Sequence, residues 1–167
     1  MPIQRLSHVV LWVLNASRTA AFYEEILGFR VVSSTRGGRS IFMQAPDSSN
    51  DHDLGLFEIG DGAGPSTAGR QTVGMYHIAW EVDSLDELGR IGQALADRGA
   101  LVGATNHGTA KSLYAKDPDG LEFEVQWLLP ADSITDEDRI IQGLPLDLAR
   151  EIERFGATTL GGVGVSH

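Results

Sequence analysis

The chain has 167 residues, 42% of them apolar, and a formal charge of −10. That length favours one compact domain with a real core, and the acidic balance argues against nucleic acid, whose phosphates need clustered Lys and Arg. With no cysteine, disulfides, zinc-thiolate sites and thiol nucleophiles are excluded, so any metal must be held by His, Asp or Glu. No apolar run is long enough to cross a bilayer. The opening MPIQRLSHVVLWV has no signal-type pattern, so a cytoplasmic protein without a membrane partner is expected.

Residues 3–14 read as a first strand, with His8, Val10 and Trp12 on one face and Val9, Leu11 and Val13 on the other. Asn15 or Ser17 can cap a following helix, in which Phe22 and Ile26, and Tyr23 and Leu27, stand one turn apart. Gly28 stops it. Three strand-like runs follow, FRVVSS, RSIFMQ and HDLGLFEI, with the loop APDSSND between the last two. GDGAGPSTAGR, residues 60–70, reads as a flexible connector.

The pattern then starts again. Residues 73–82 read as a strand containing His77, and Ser84 with Glu87 forms a capping box. Leu85, Leu88, Ile91 and Leu95 line one helix face, and Gly99 ends it. Residues 100–106, 111–116 and 121–128 read as three more strands, the last two joined at an Asp117-Pro118-Asp119-Gly120 turn. The expected class is therefore α+β: two βαβββ modules, residues 1–60 and 73–129, forming an open, barrel-like mixed sheet around a metal site. Residues 1–130 make that domain. Residues 131–167 form a C-terminal tail with a short helix near 146–155, ending in a mobile-looking ATTLGGVGVSH.

The repeat places His8 and His77 equivalently, each in the middle of the strand before a helix. On the last strand Glu122, Glu124 and Gln126 share a face, opposite Phe123, Val125 and Trp127. A carboxylate among apolar neighbours in a central strand is costly to bury unless paired or bound to a metal. Two imidazoles and one carboxylate suit non-haem Fe(II), and Mn(II) shares those ligand preferences.

The repeated opening, SHVVLWV in one copy and YHIAWEVDSLDEL in the other, resembles the vicinal oxygen chelate superfamily over residues 3–129. That group includes glyoxalases, epimerases, fosfomycin-resistance proteins and type I extradiol dioxygenases. TNHGTAKSLYAKDPDGLEFE, residues 105–124, is similar to the extradiol dioxygenase signature: His107, the pair Leu113 and Tyr114, the turn 117–120, then Glu124. DHDLGLF, residues 51–57, looks like the family strand that carries an acid–base histidine.

The resemblance implies a one-domain extradiol dioxygenase that opens a catechol-type ring with O2. His8, His77 and Glu124 would hold Fe(II), His52 would transfer protons near oxygen, and His107 and Tyr114 would hydrogen-bond the ring oxygens. The alternatives are a same-fold metalloenzyme of glyoxalase, epimerase or fosfomycin-resistance type, and a metal-free binder of aromatic drugs. Val10, Trp12, Ile41, Met43 and Leu54 are candidate pocket walls. Strand edges and the tail residues Leu144, Leu146, Leu148, Ile152 and Phe155 predict a homo-oligomer.

Overall fold

The computed structural model describes residues 2–3, 5–69, 71–141 and 143–162. They fall into two compact units: Met1–Ser66 with Asp117–Gly120, and Thr67–Lys116 with Leu121–His167. The boundary lies inside the Gly-rich connector. No helix among the described residues is long and apolar enough to cross a membrane.

Unit 1 holds β1 (Val9–Val13), α1 (Ala16–Leu27), β2 (Arg30–Thr35), β3 (Ser40–Gln44) and β4 (Leu54–Glu58). The order across the sheet is β1-β4-β3-β2, with β1 parallel to β4 and the other pairs antiparallel. Strand alternation sends Leu11, Val13, Ile41, Met43, Leu54 and Leu56 to one face, all buried. There they meet α1, whose Phe22, Tyr23, Ile26 and Leu27 form its buried stripe. Asn15, rather than Ser17, caps α1 by accepting from the Arg18 amide at 2.8 Å. Gly28 closes the helix with φ +73°, a left-handed conformation that suits glycine.

The Asp-Pro-Asp-Gly turn packs with this unit. Asp119 Oδ2 accepts from the Leu14 amide at 2.9 Å, and its other oxygen pairs with Arg18.

Unit 2 repeats the plan with β5 (Ile78–Val82), α2 (Leu85–Asp97), β6 (Leu101–Asn106), β7 (Ala110–Lys116) and β8 (Glu122–Leu128). It then adds α3 (Asp136–Ile140), β9 (Leu144–Pro145) and α4 (Leu148–Phe155). The sheet order is β5-β8-β7-β6-β9, and β5 lies parallel to β8 as β1 does to β4. The likeness reaches detail, because both modules break register at the same place, Val31/Ser33 and Leu101/Gly103. Leu85, Leu88, Ile91 and Leu95 are all buried. Ser84 accepts from the Glu87 amide, while the Glu87 carboxylate bonds Arg90 instead of closing the box. The α+β class and the doubled module are borne out, with one open mixed sheet in each unit.

Three expectations need correction. The strands expected at 3–14 and 73–82 begin only at Val9 and Ile78. Pairing sets those starts: Val9 is opposite Leu54 and Ile78 opposite Phe123, and the partner strands supply no earlier ladder. His8 and His77 therefore sit at matching strand entrances, not in strand centres.

Second, Ile41, Met43 and Leu54 belong to the core under α1, so they are not walls on the face that carries Val10 and Trp12.

Third, residues 156–162 are tied down. Gly161 donates its amide to Asp83 O at 2.7 Å and Gly162 to Leu128 O at 2.8 Å. Residues 163–167, the end of the expected mobile stretch, lie outside the described residues.

The tail packs on its own unit. Phe155 meets Trp127 at 5.5 Å between ring centroids, and Leu148 lies over Gly89. Lys111, fully buried, places Nζ 2.8 Å from Asn106 Oδ1 and 2.9 Å from Gly108 O. Glu151 Oε2 of α4 stands 3.1 Å from the same Nζ, an ion-pair separation without hydrogen-bond alignment. Its other oxygen accepts from Asn106 Nδ2. Arg154 makes a two-pronged contact to Asp138 at 2.7 and 2.8 Å. These interactions occupy much of the tail that suggested a partner subunit, although Leu144 stays 53% exposed.

Candidate functional site

In unit 2, β8 is the strand that organises the polar residues, because it lies between β5 and β7. Glu124 stands opposite Tyr114 on β7 and opposite Ala79 on β5. Its carboxylate is buried at 6% exposure, and its Oε2 lies 3.1 Å from His77 Nε2. On the other side Tyr114 OH lies 2.9 Å from His107 Nε2. Burial pushes the Tyr114 phenol up to about 12, and the charge of Glu124 and a hydrogen bond to it add to the shift. His107, Tyr114, Glu124 and His77 thus form one polar line across the sheet. Tyr76 flanks the His77 ring at 4.6 Å.

His77 Nδ1 is buried without a hydrogen-bond partner. The His77–Glu124 separation also fits a metal. Two donors about 2.1 Å from an octahedral ion and at right angles stand about 3.0 Å apart. Imidazole nitrogen and carboxylate oxygen are the donors that a divalent first-row metal takes. The pair can therefore supply one edge of a coordination site. Among the described residues no group of three or more His, Asp or Glu side chains has metal-holding geometry.

Unit 1 carries the other two site histidines. His8 and His52 lie at adjacent strand entrances, just before β1 and β4, with ring centroids 4.6 Å apart. His52 Nδ1 lies 3.0 Å from Asp51 Oδ2, and this hydrogen bond lowers the Asp51 carboxyl below its ordinary range. Ser7 Oγ stands 3.2 Å from His8 Nδ1. The parallel β1–β4 pairing brings His8 and His52, more than forty positions apart in sequence, side by side.

Sequence reasoning named Trp12 as a pocket wall but missed Phe42 and Phe57, the aromatic side chains that join it to His52. Phe42 meets His52 at 5.0 Å, Phe57 meets Phe42 at 5.8 Å, and Trp12 meets Phe57 at 5.8 Å. Their alternation along β1, β3 and β4 would have revealed a shared face, had the register between strands been known.

The fold and these geometries point to one class of protein, a doubled-module scaffold with histidines at its strand entrances and polar or aromatic side chains on its open sheet faces. Residues 5–125 match the model of the Glyoxalase/Bleomycin resistance protein/Dioxygenase superfamily, and the chain belongs to that superfamily. It is similar to the catechol-2,3-dioxygenase of Bacillus subtilis (strain 168), 25% identical over 120 residues, covering 72% of this chain and 40% of that protein. It is also similar to the virulence protein STM3117 of Salmonella typhimurium (strain LT2), 30% identical over 131 residues, covering 75% of this chain and 85% of that one. Among solved structures, a glyoxylase/bleomycin resistance protein/dioxygenase domain from Frankia sp. EAN1pec superposes with a TM-score of 0.61 at 24% identity. That match covers 75% of this chain and 92% of the other. The chain spans less than half the length of the Bacillus dioxygenase.

Proposed function

We propose that the chain is an extradiol dioxygenase that opens a catechol-type ring with O2, with His8, His77 and Glu124 as ligands of Fe(II). The observation that carries the reading is the polar line of unit 2, in which His107 reaches Tyr114 at 2.9 Å and His77 reaches Glu124 at 3.1 Å. An epimerase or thiol transferase of the same fold would need the ligands but not His107 and Tyr114 beside them. The similarity to a named catechol dioxygenase supports the same choice.

Bound Fe(II) would supply Lewis acidity, which favours the catecholate, and redox chemistry toward oxygen. The residues of the chain would do the rest. Tyr114 presents a phenolic donor suited to a ring oxygen. His107 fixes the direction of that phenol through its 2.9 Å contact. His52, neighbouring His8, would move a proton, a task that suits imidazole near neutral pH. The half-buried placement of Tyr114 and His107 strengthens such bonds relative to water.

The test is anaerobic reconstitution with Fe(II), then a catechol panel followed by an oxygen electrode and by the yellow colour of ring-fission products. Oxygen uptake matched to product is expected. Isomerisation or thiol addition without oxygen uptake would overturn the reading, and Mn(II) loaded in parallel decides between the two metals.

A further inference from the structure

The open face of the unit 1 sheet is built unlike an ordinary solvated sheet face. Alternation places Val10 and Trp12 of β1, Ser40, Phe42 and Gln44 of β3, and Gly55 and Phe57 of β4 there, and none of these is charged. Trp12 is 67% exposed and Val10 46% exposed. Leaving a tryptophan in water forgoes a large apolar gain, and an uncharged aromatic strip of this kind marks a binding surface. Gly55 lies at its centre without a side chain. A Cβ there would come within 3.2 Å of Val10 Cγ2, so glycine leaves the strip low where a substituent would raise it.

The strip also has a direction. It runs from His8 and His52, 4.6 Å apart, through Phe42 and Phe57 to Trp12. Aromatic neighbours settle about 4.5–7 Å apart, so one ring bound beside the histidines covers about one such interval. A single catechol ring at the histidines leaves Phe57 and Trp12 bare. A second ring, fused or attached, reaches them.

We infer that this strip is the subsite for a second, apolar ring of the substrate, with Trp12 and Phe57 as its anchors. The preferred substrates are then bicyclic or aryl-substituted catechols. This rests on the dioxygenase reading for the ring-opening step, but the subsite itself lies wholly within unit 1. The absence of charge along the strip selects a neutral extension, and the histidines mark its polar end.

The chain has three tryptophans; Trp127 is fully buried, Trp80 half-buried and Trp12 exposed. Emission from Trp12 therefore reports on this face. In protein without added metal, 2,3-dihydroxynaphthalene should quench the exposed tryptophan and bind about tenfold more tightly than catechol. By isothermal titration calorimetry, which needs no reporter tryptophan, Trp12→Ala should abolish that preference and Trp12→Phe should keep most of it. In Fe(II)-loaded protein the kcat/KM ratio of 1,2-dihydroxynaphthalene to catechol should fall about tenfold in Trp12→Ala.

Equal binding of the two probes, or an unchanged preference in Trp12→Ala, overturns the subsite even if catechol is cleaved. A Trp12→Ala variant that loses an oligomeric state seen in wild type by light scattering, with no change in preference, assigns the strip to a second copy of the chain and also overturns it. Retained binding preference with no oxygen uptake on any catechol overturns the dioxygenase reading and leaves the aromatic subsite standing.

Discussion

The two sheets share a plan, down to the register break in their second strands, yet their open faces differ in chemistry. The face of β1, β3 and β4 carries aromatic rings, Val10 and a glycine, flanked by Ser40 and Gln44, and ends at two imidazoles. The face of β5, β7 and β8 carries Glu124, Tyr114, Ser112 and Gln126. A repeat preserves backbone pairing because that depends on N–H and C=O groups common to all residues. The side chains on the face away from the helix take no part in that pairing or in the core. They are free to diverge, one sheet toward apolar contact and the other toward hydrogen-bonding and ionisable groups. The core faces also differ, since the unit 2 sheet accepts a buried lysine that the unit 1 sheet has no counterpart for.

Breaking the proposed ligand set should have the largest effect. His8→Ala, His77→Ala and Glu124→Ala should each lose most bound iron and all turnover, because three ligands leave no spare. Metal analysis of the purified variants checks this, and full occupancy in any one removes that residue from the site. Next is the buried charge of the unit 2 core. Glu151→Ala leaves Lys111 in the interior without its ion-pair partner and should cost about 3–5 kcal/mol in urea unfolding. Lys111→Met with Glu151→Leu should restore most of the loss. If the single variant matches wild type, the lysine finds water and the burial argument fails.

Tyr114→Phe and His107→Phe should hold iron near the wild-type level while turnover falls about 100-fold or more. The loss should fall mainly on kcat if these bonds strengthen along the reaction. Iron loss in step with activity would make them structural supports of Glu124 instead.

The smallest effect lies where α3 meets α4. Arg154 holds the Asp138 carboxyl well below the usual carboxylate range, with hydrogen bonds from Thr135 adding to it. A depressed folded pKa contributes stability that is present above the unfolded value near 3.9 and lost as pH falls below it. Asp138→Asn should therefore lower stability at pH 7 and flatten the acid limb below about pH 4. The cost should be smaller than that of Glu151→Ala, since Arg154 is 37% exposed and solvent screens the pair. Thermal melts of both proteins between pH 2 and 7 measure it.

Much of this molecule follows from local rules. Leu85, Leu88, Ile91 and Leu95 recur at helical spacing, and all four are buried. Phe123, Val125 and Trp127 alternate as a strand core does, and they are buried too. Gly28 ends α1 because it can take positive φ. The doubled module was legible because each copy writes the same sequence of periods, caps and turns. Even the odd placement of Lys111 left a trace, since it shares its strand face with Leu113 and Ala115. That trace gave no partner, because Glu151 lies forty residues away on a helix whose docking no local pattern encodes.

The sequence by itself determined the element types of the two modules, the repeat and the family, and it proposed the site residues, but it gave no sign of α3 or β9 in the tail. Tertiary pairing decided where each strand begins, and so moved His8 and His77 from strand centres to strand entrances. It also set His52 beside His8, closed the Tyr114–His107 contact, joined the aromatic strip and tied the tail down by Lys111 and Glu151. The physical reason is one of range. Periodicity and capping act over a few residues, whereas register and side-chain contact across strands arise only when a ladder brings distant backbone groups together.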